Sequence, residues 1–341
     1  MTLEINGRIH MKYYLNKLIK GQSLTQTEAQ EALLQIAGGH VNHAQIAAFL
    51  MGIQQKGITA EELLGFREAM LSVANTIDLS DYDAIDVCGT GGDGKDTFNI
   101  STTAAFVVAG AGQKVAKHGN HGVSSSVGSS TVLEYLGVKF TNDPDYIKSK
   151  IDKAGICYLH APLFHPAMKH VGPVRKELGI KTFFNILGPL LNPSGVKKQL
   201  TGVYDLKVFD LYEQVFGQLG GRFGIIFDLA VYDEVSLTDD FLFSSHFPSA
   251  DEGELFSPSA FGFEKINAED LSSGDTVEAS AKILIDVLEN KGTVAQTNVV
   301  LANAALAIGV AQNKSIGASL ELAKESLVSG KARAALKELV A

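Results

Sequence analysis

Cysteine is scarce: only Cys88 and Cys157 occur in 341 residues. Both stand in apolar runs, where Cys serves as a small buried hydrophobe. Two such residues fit a reducing compartment better than a disulfide framework. Basic runs are absent, and the formal charge is −9. General nucleic-acid binding draws on phosphate neutralisation by clustered Lys and Arg, so no nucleic acid is expected as partner. No stretch reads as the roughly 18 uninterrupted apolar residues of a membrane span, and no secretory leader is evident. No membrane and a cytoplasmic location are therefore the expectations. Fixed-period repeats and low-complexity tracts are missing too.

Several chemical signatures are also lacking. No glycine loop ends in Gly-Lys-Ser/Thr, and none has the three spaced glycines of a dinucleotide fingerprint, so ATP and NAD lose support. No Ser lies in a Gly-x-Ser-x-Gly elbow. The close histidine pairs, His40 with His43 and His118 with His121, have no evident third ligand, so zinc is not expected.

What is present is an ordinary globular composition, 45% hydrophobic and 20% charged. The length predicts a large domain with a smaller satellite. Over 11–76 the pattern is helical. Thr25 with Glu28, and Thr59 with Glu62, read as capping boxes. Ile46, Phe49, Leu50 and Ile53 form one apolar stripe on a helix that Gly57 ends. After Asp83, short apolar runs at 84–88, 113–116 and 222–227 alternate with helical stretches, which predicts an α/β domain over 83–341. A helical insertion is expected near 166–182, and helices return at 276–288 and 296–339. The fold class is thus α/β, a small N-terminal helical domain preceding a larger α/β domain.

The most informative stretch is Asp86-Val87-Cys88-Gly89-Thr90-Gly91-Gly92-Asp93-Gly94, directly after a predicted strand. Glycine is the residue most expensive to order, so such a cluster suits backbone amides that must turn together toward one anion. Thr97, Asn99, Ser101 and Thr102 follow, at the start of a helix expected from about Thr103. One of them should cap the helix while the others face phosphate. There, hydrogen bonds to a charged group, about 1.5–3 kcal/mol each, outweigh a helix dipole worth about 0.3–1 kcal/mol.

A second polar loop, Lys117-His118-Gly119-Asn120-His121-Gly122-Val123-Ser124-Ser125-Ser126-Val127-Gly128-Ser129, supplies hydroxyls and one local cation, Lys117. Asp233-Glu234, after a strand expected to end near Val231, is placed to hold Mg²⁺ once a diphosphate is bound. The segment from His165 to Gly179 is dense in basic residues, and an Arg within it offers a planar fork to a carboxylate.

Together these blocks, with Asn185-Ile186-Leu187-Gly188-Pro189-Leu190-Leu191-Asn192-Pro193, resemble the anthranilate phosphoribosyltransferases of tryptophan biosynthesis in residues, order and spacing. The resemblance runs from about Met11 to the C-terminus. It implies a homodimer whose fold is shared with pyrimidine nucleoside phosphorylases, acting on phosphoribosyl pyrophosphate and anthranilate with Mg²⁺. By position it implies that Gly89, Gly92, Asp93, Thr97, Asn99, Ser101, Thr102, Lys117, Ser125 and Ser129 bind the ribose donor. Ile100, His118, Gly119 and Ser124 complete the substrate-binding set. Ser101, Asp233 and Glu234 match metal positions, and Asn120 and Arg175 match contacts to anthranilate.

No catalytic side chain is implied; position and metal do the work. His121 and Ser126 stand where the family usually has Arg and Lys. The family's His-Gly ahead of the acidic pair is replaced within Phe227 to Tyr232, and the segment to about residue 260 reads unlike the usual one. The alternatives are a nucleoside phosphorylase and a non-catalytic nucleic-acid-binding relative, the latter disfavoured by charge.

Overall fold

A computed structural model describes residues 4–5, 8–122, 127–245, 253–274 and 276–341. Ser124, Ser125 and Ser126 therefore lie outside the described residues, as does part of the unusual segment near 227–260. The chain divides into two compact units, residues 1–76 with 162–193, and residues 77–161 with 194–341.

The first unit is helical. Strands β1 (Glu4–Ile5) and β2 (Arg8–Ile9) pair antiparallel ahead of helices Met11–Ile19, Gln26–Ala37, His43–Lys56 and Ala60–Ser72. Both capping boxes form: the Thr25 and Thr59 hydroxyls accept from the amides of Glu28 and Glu62, whose carboxylates accept in return from the capping residues' own amides. Ile46, Phe49, Leu50 and Ile53 are buried on one face, and Gly57 ends that helix at φ 83°. Leaving the left-handed region to glycine avoids the Cβ clash that any other residue would meet.

Segment 162–193 joins this unit through its aromatic residues. Phe183 stacks on Phe66 at 4.2 Å and meets Phe49 edge-on at 6.4 Å. His165 is buried in the same segment, with Nε2 2.9 Å from the Leu191 carbonyl.

The second unit is built on a seven-stranded sheet. In chain order the strands are β3 (Ile85–Gly89), β4 (Val115–Gly119), β5 (Ile156–His160), β6 (Lys198–Val203), β7 (Arg222–Asp228), β8 (Phe241–Ser245) and β9 (Glu254–Phe256). Their spatial order is β5-β4-β3-β6-β7-β8-β9, parallel from β5 through β7 and antiparallel beyond. From β3 the chain proceeds outward through β4 to β5, then returns to β3's other side with β6. The strand order thus reverses between β3 and β6, and open α/β sheets bind ligands in the crevice at such a point, beyond the carboxyl ends of the strands.

The core of this unit lies between the sheet and the helices Ile100–Gly110, almost wholly buried, and Val294–Gln312, buried from Val299 through most of its length. Val294–Gln312 opens the helical stretch expected over 296–339, starting two residues earlier. At 19 residues and mean hydropathy 1.6 it has the length and composition of a membrane span, with 67% of that window buried inside the protein. From Val299 to Ala311 its apolar residues pack into the protein's own core.

Three boundaries differ from expectation. β4 continues to Gly119 because Lys117, His118 and Gly119 pair in register with Tyr158, Leu159 and His160; these residues finish a strand rather than open a loop. The helix after the glycine run begins at Ile100, not Thr103. β7 stops at Asp228, short of Val231, because the Asp228 carboxylate turns the chain: it accepts from the amides of Ala230 and Ser236 and from the Ser236 hydroxyl.

Burial drives the His165 pKa from its ordinary 6.5 down to about 4, its bond to the Leu191 carbonyl opposing the shift. The folded state thus holds fewer protons than the unfolded chain between those values. This residue's contribution is complete above pH 6.5 and is lost as pH falls toward 4. Denaturant unfolding at pH 7 and pH 4.5 should show a smaller acid-induced loss for His165→Gln than for the unaltered protein, by roughly 2 kcal/mol. Equal losses would remove His165 as the cause.

Candidate active site

The glycine run leaves the sheet at the end of β3 and turns at once. Gly91, Gly92 and Gly94 take φ of 66°, 80° and 73°, the left-handed region in which successive amides can converge on one anion. Gly89 has another reason to lack a side chain. It pairs in register with Gly202 of β6, and the turn carrying Asp233 lies over both. A Cβ on Gly89 would overlap the Asp233 carboxylate, and one on Gly202 would overlap the Asp233 carbonyl. These two glycines form the gap at the reversal point of the sheet into which the acidic pair descends.

Asp233 Oδ2 accepts from the Gly91 amide at 2.6 Å, which ties the acidic turn to the glycine loop. Glu234 reaches the start of helix Ile100–Gly110: one oxygen accepts from the Thr97 hydroxyl at 3.2 Å and the other from the Ser101 amide at 3.1 Å. Asn99 is the N-capping residue by position, yet its side chain makes no capping bond. Its amide donates to the Val127 carbonyl and its oxygen accepts from Ser280. The helix is therefore capped by a carboxylate more than a hundred residues away, which places negative charge where the dipole favours it.

The acids crowd one another. Burial pushes the Asp233 carboxyl up to about 7, and the neighbouring charge of Asp93 adds to the shift. Burial also raises Glu234 well above the usual range, with Asp233 and Asp93 contributing. Asp93 is raised as well by burial, against the pull of the Lys95 amide. Three clustered acids whose ionisation is resisted make a hard-oxygen environment that a divalent cation would relieve. Among the described residues no three His, Cys, Asp or Glu side chains converge as an all-protein metal cage. Magnesium characteristically takes one or two carboxylates and completes its shell with water and substrate phosphate, so the residues present fit that ion.

The remaining expected residues fall into four places. Ile100 and Thr102 have buried side chains and present only their backbone at the helix start. Lys117, read as the loop's cation, is buried within β4, and its ammonium donates to the Val87 carbonyl. Desolvation lowers its pKa, while Asp86, Cys88, Glu234 and Asp233 draw it upward. His118 follows in the strand, its amide donating to Asp86.

At the end of β4 the Asn120 carbonyl accepts from the Ser129 hydroxyl and the Ser130 amide. Ser129 and Ser130 both meet the Tyr158 hydroxyl, at 2.9 and 2.8 Å. Gly119 is required there, since a Cβ would overlap that hydroxyl. Arg175 belongs to the helical unit. Its guanidinium lies 5.2 Å from the centre of the Phe184 ring, and burial lowers its pKa.

Comparison with known proteins gives this arrangement its context. Residues 81–333 match the family model described as the glycosyl transferase family a/b domain, and residues 12–74 match its helical bundle domain. The anthranilate phosphoribosyltransferase of Flavobacterium johnsoniae is 52% identical over 330 residues, covering 96% of this chain and 98% of that protein. That of Cytophaga hutchinsonii is 50% identical, covering 97% and 100%. Among solved structures, the anthranilate phosphoribosyltransferase of Thermus thermophilus superposes with a TM-score of 0.89 at 32% identity, covering 96% of this chain and 98% of that one. The Saccharomyces cerevisiae enzyme, solved in complex with PRPP and Mg, gives 0.88 at 28% identity, covering 97% and 96%.

The chain belongs to the anthranilate phosphoribosyltransferase family.

Family membership does not explain why the acidic turn is so placed; residues that the sequence reading missed do. Gly202 admits the turn, and a glycine inside a strand is itself a sign of close backbone approach. Asp228 and Ser236 close the turn. Asn303 of the core helix bonds to its backbone, and an Asn in an otherwise apolar helix is a signal of the same kind. Tyr158, which gathers two hydroxyls beside the second loop, left no sequence signal beyond its place in the apolar run around Cys157.

Gly202→Ala tests the gap. The alanine conformation is allowed on β6, so the fold should persist by circular dichroism, but the Asp233 carbonyl must move. Turnover is expected to fall about 100-fold, and wild-type turnover in a folded Gly202→Ala protein would contradict the description.

Proposed function

We infer that this protein transfers the phosphoribosyl group of phosphoribosyl pyrophosphate to the amine of anthranilate, releasing pyrophosphate, a step of tryptophan biosynthesis. The observation that carries this reading is the acidic doublet seated over Gly89 and Gly202 and tied to a left-handed glycine turn, in a chain similar over nearly its whole length to anthranilate phosphoribosyltransferases. The yeast relative's complexes with PRPP and Mg and with 4-fluoroanthranilate support the same substrate classes here.

In this reading the amides of Gly89, Gly92 and the helix start, with Asp93, Thr97, Asn99, Ser101, Thr102, Lys117, Ser124, Ser125 and Ser129, bind the donor. Asp233, Glu234 and Ser101 would hold Mg²⁺. When bound, that ion supplies neutralisation for the charge developing on the departing diphosphate. Asn120 and Arg175 take the acceptor, the Arg fork pairing with its carboxylate. The amine nitrogen forms its bond to the ribose C1 as the C1–oxygen bond breaks with inversion. The bonding pair leaves with pyrophosphate, and the nitrogen gives up a proton.

An aromatic amine needs no strong base before it attacks, so no side chain is assigned as general base, and a single displacement by the amine itself needs no protein nucleophile. Holding donor and amine in line is worth about 7–11 kcal/mol in comparable reactions. A helical domain over 11–76 with an insertion near 166–182, an α/β domain over 83–341, a homodimer and a cytoplasmic location complete the proposal.

Loss of anthranilate fluorescence, followed with and without the ribose donor and Mg²⁺, measures the activity directly and should require both. In that assay Asp233→Asn combined with Glu234→Gln should lower turnover about 100-fold and blunt the magnesium dependence. Arg175→Ala should raise the KM for anthranilate about tenfold with the donor KM little changed. Unaltered kinetics in either variant would remove the corresponding assignment.

A further inference from the structure

The turn between β7 and β8 that carries Asp233 and Glu234 is not relaxed by itself. Val231 and Leu237 hold φ of 65° and 60°, a region that β-branched and bulky residues rarely enter. Such backbone persists only where its surroundings over-determine it. Two side chains do so. Asp228 fixes Ala230 and Ser236 from the same stretch of chain. The other comes from a separate element: Asn303, in the core helix Val294–Gln312, only 2% exposed.

Asn303 grips Val235, the residue directly after Glu234. Its Oδ1 accepts from the Val235 amide at 3.1 Å, and its Nδ2 donates to the Val235 carbonyl at 2.8 Å. The second Nδ2 hydrogen goes to the Val299 carbonyl within the helix, at 2.9 Å. The two bonds to Val235 fix the peptide planes on both sides of that residue, and the first of those planes carries the Glu234 carbonyl. A buried primary amide is tolerated among apolar neighbours because its two donors and its acceptor are all used. A leucine would fill the same space at no polar cost, yet it would leave the buried Val235 backbone without partners.

We propose that Asn303 is a positioning residue that sets the geometry of the acidic doublet toward its divalent cation, acting through the backbone of Val235. The inference rests on the assignment of Asp233 and Glu234 as cation-holding residues. It adds that their placement is imposed by the hydrophobic core before any ligand arrives.

The test measures Mn²⁺ binding by water-proton relaxation, on the whole protein with phosphoribosyl pyrophosphate present, for Asn303→Leu and Asn303→Ser. The serine can still bond the Val299 carbonyl but reaches neither group of Val235. Leu306→Ala, in the same helix and core, is the control for simple destabilisation. Both Asn303 variants should weaken Mn²⁺ binding about 10- to 100-fold, the usual cost of losing a partner that orients a ligand. Leu306→Ala should leave it unchanged even where its melting temperature falls as far.

Binding that stays at the wild-type value, or that falls only in step with Leu306→Ala, overturns the proposal. Should neither Asn303 variant fold, hydrogen exchange of the Val235 amide in the unaltered protein decides. Protection equal to that of the core helix amides supports the clamp, and exchange at the rate of the surrounding turn refutes it. Asp233→Asn with Glu234→Gln separates the two claims. Weakened Mn²⁺ binding there, with none in the Asn303 variants, refutes the positioning role alone; no weakening in the acidic variant refutes the cation assignment beneath it.

Discussion

Two neighbouring parallel strands each carry a residue with no side chain at or one position before their carboxyl end, and the resulting gap decides what can approach this edge of the sheet. Gly89 and Gly202 are register partners at the point where the strand order reverses. Open α/β sheets have a crevice there by topology alone. In this chain the crevice is filled from one side by backbone and carboxylate of the Asp233 turn, which could not approach over any other residue type. The glycine loop follows Gly89 directly and is bonded to Asp233 through Gly91, so the proposed anion-binding and cation-binding sides of the site are joined by one contact.

Electrostatics then supply what packing leaves undone. Bringing Asp93, Asp233 and Glu234 together under burial raises the pKa of each. The arrangement is costly for a bare protein and favourable for one that meets a divalent cation with a polyphosphate. Glu234 meanwhile occupies the start of helix Ile100–Gly110 through the Ser101 amide, a position with the polarity an incoming phosphate would also seek. The Lys117 ammonium, sunk in β4, balances part of this charge from beneath. In the proposed function an acidic protein thus meets an acidic substrate with one buried lysine and a carboxylate seat for a metal rather than with a basic surface.

Much of this was legible in the sequence where a residue type is needed for a purely local reason. The run from Gly89 to Gly94 announces turned backbone, Thr25 and Thr59 announce helix starts, and Asp233-Glu234 stands out once a phosphate cradle is granted. What was hidden depends on distant partners. Nothing near Lys117 says whether β4 continues through it; the pairing with β5 decides that. Gly202 reads as an unremarked residue until Asp233 is seen above it, and Asn303 as a defect in an apolar helix until Val235 is seen beside it. Segment 162–193 carries proline and charge that mark an interruption, but its place with the helical unit follows from Phe183 stacking on Phe66.

In the proposed function the acidic turn over Gly89 and Gly202 is the seat of the cation that accompanies the ribose donor. A crystal grown with phosphoribosyl pyrophosphate and Mn²⁺, measured for anomalous scattering, addresses that directly. The expected result is a manganese peak coordinated by Asp233 or Glu234, with donor phosphate against the amides of the Gly89 to Gly94 loop. A manganese ion bound elsewhere, or a donor held away from that loop with the acidic turn untouched, would contradict it.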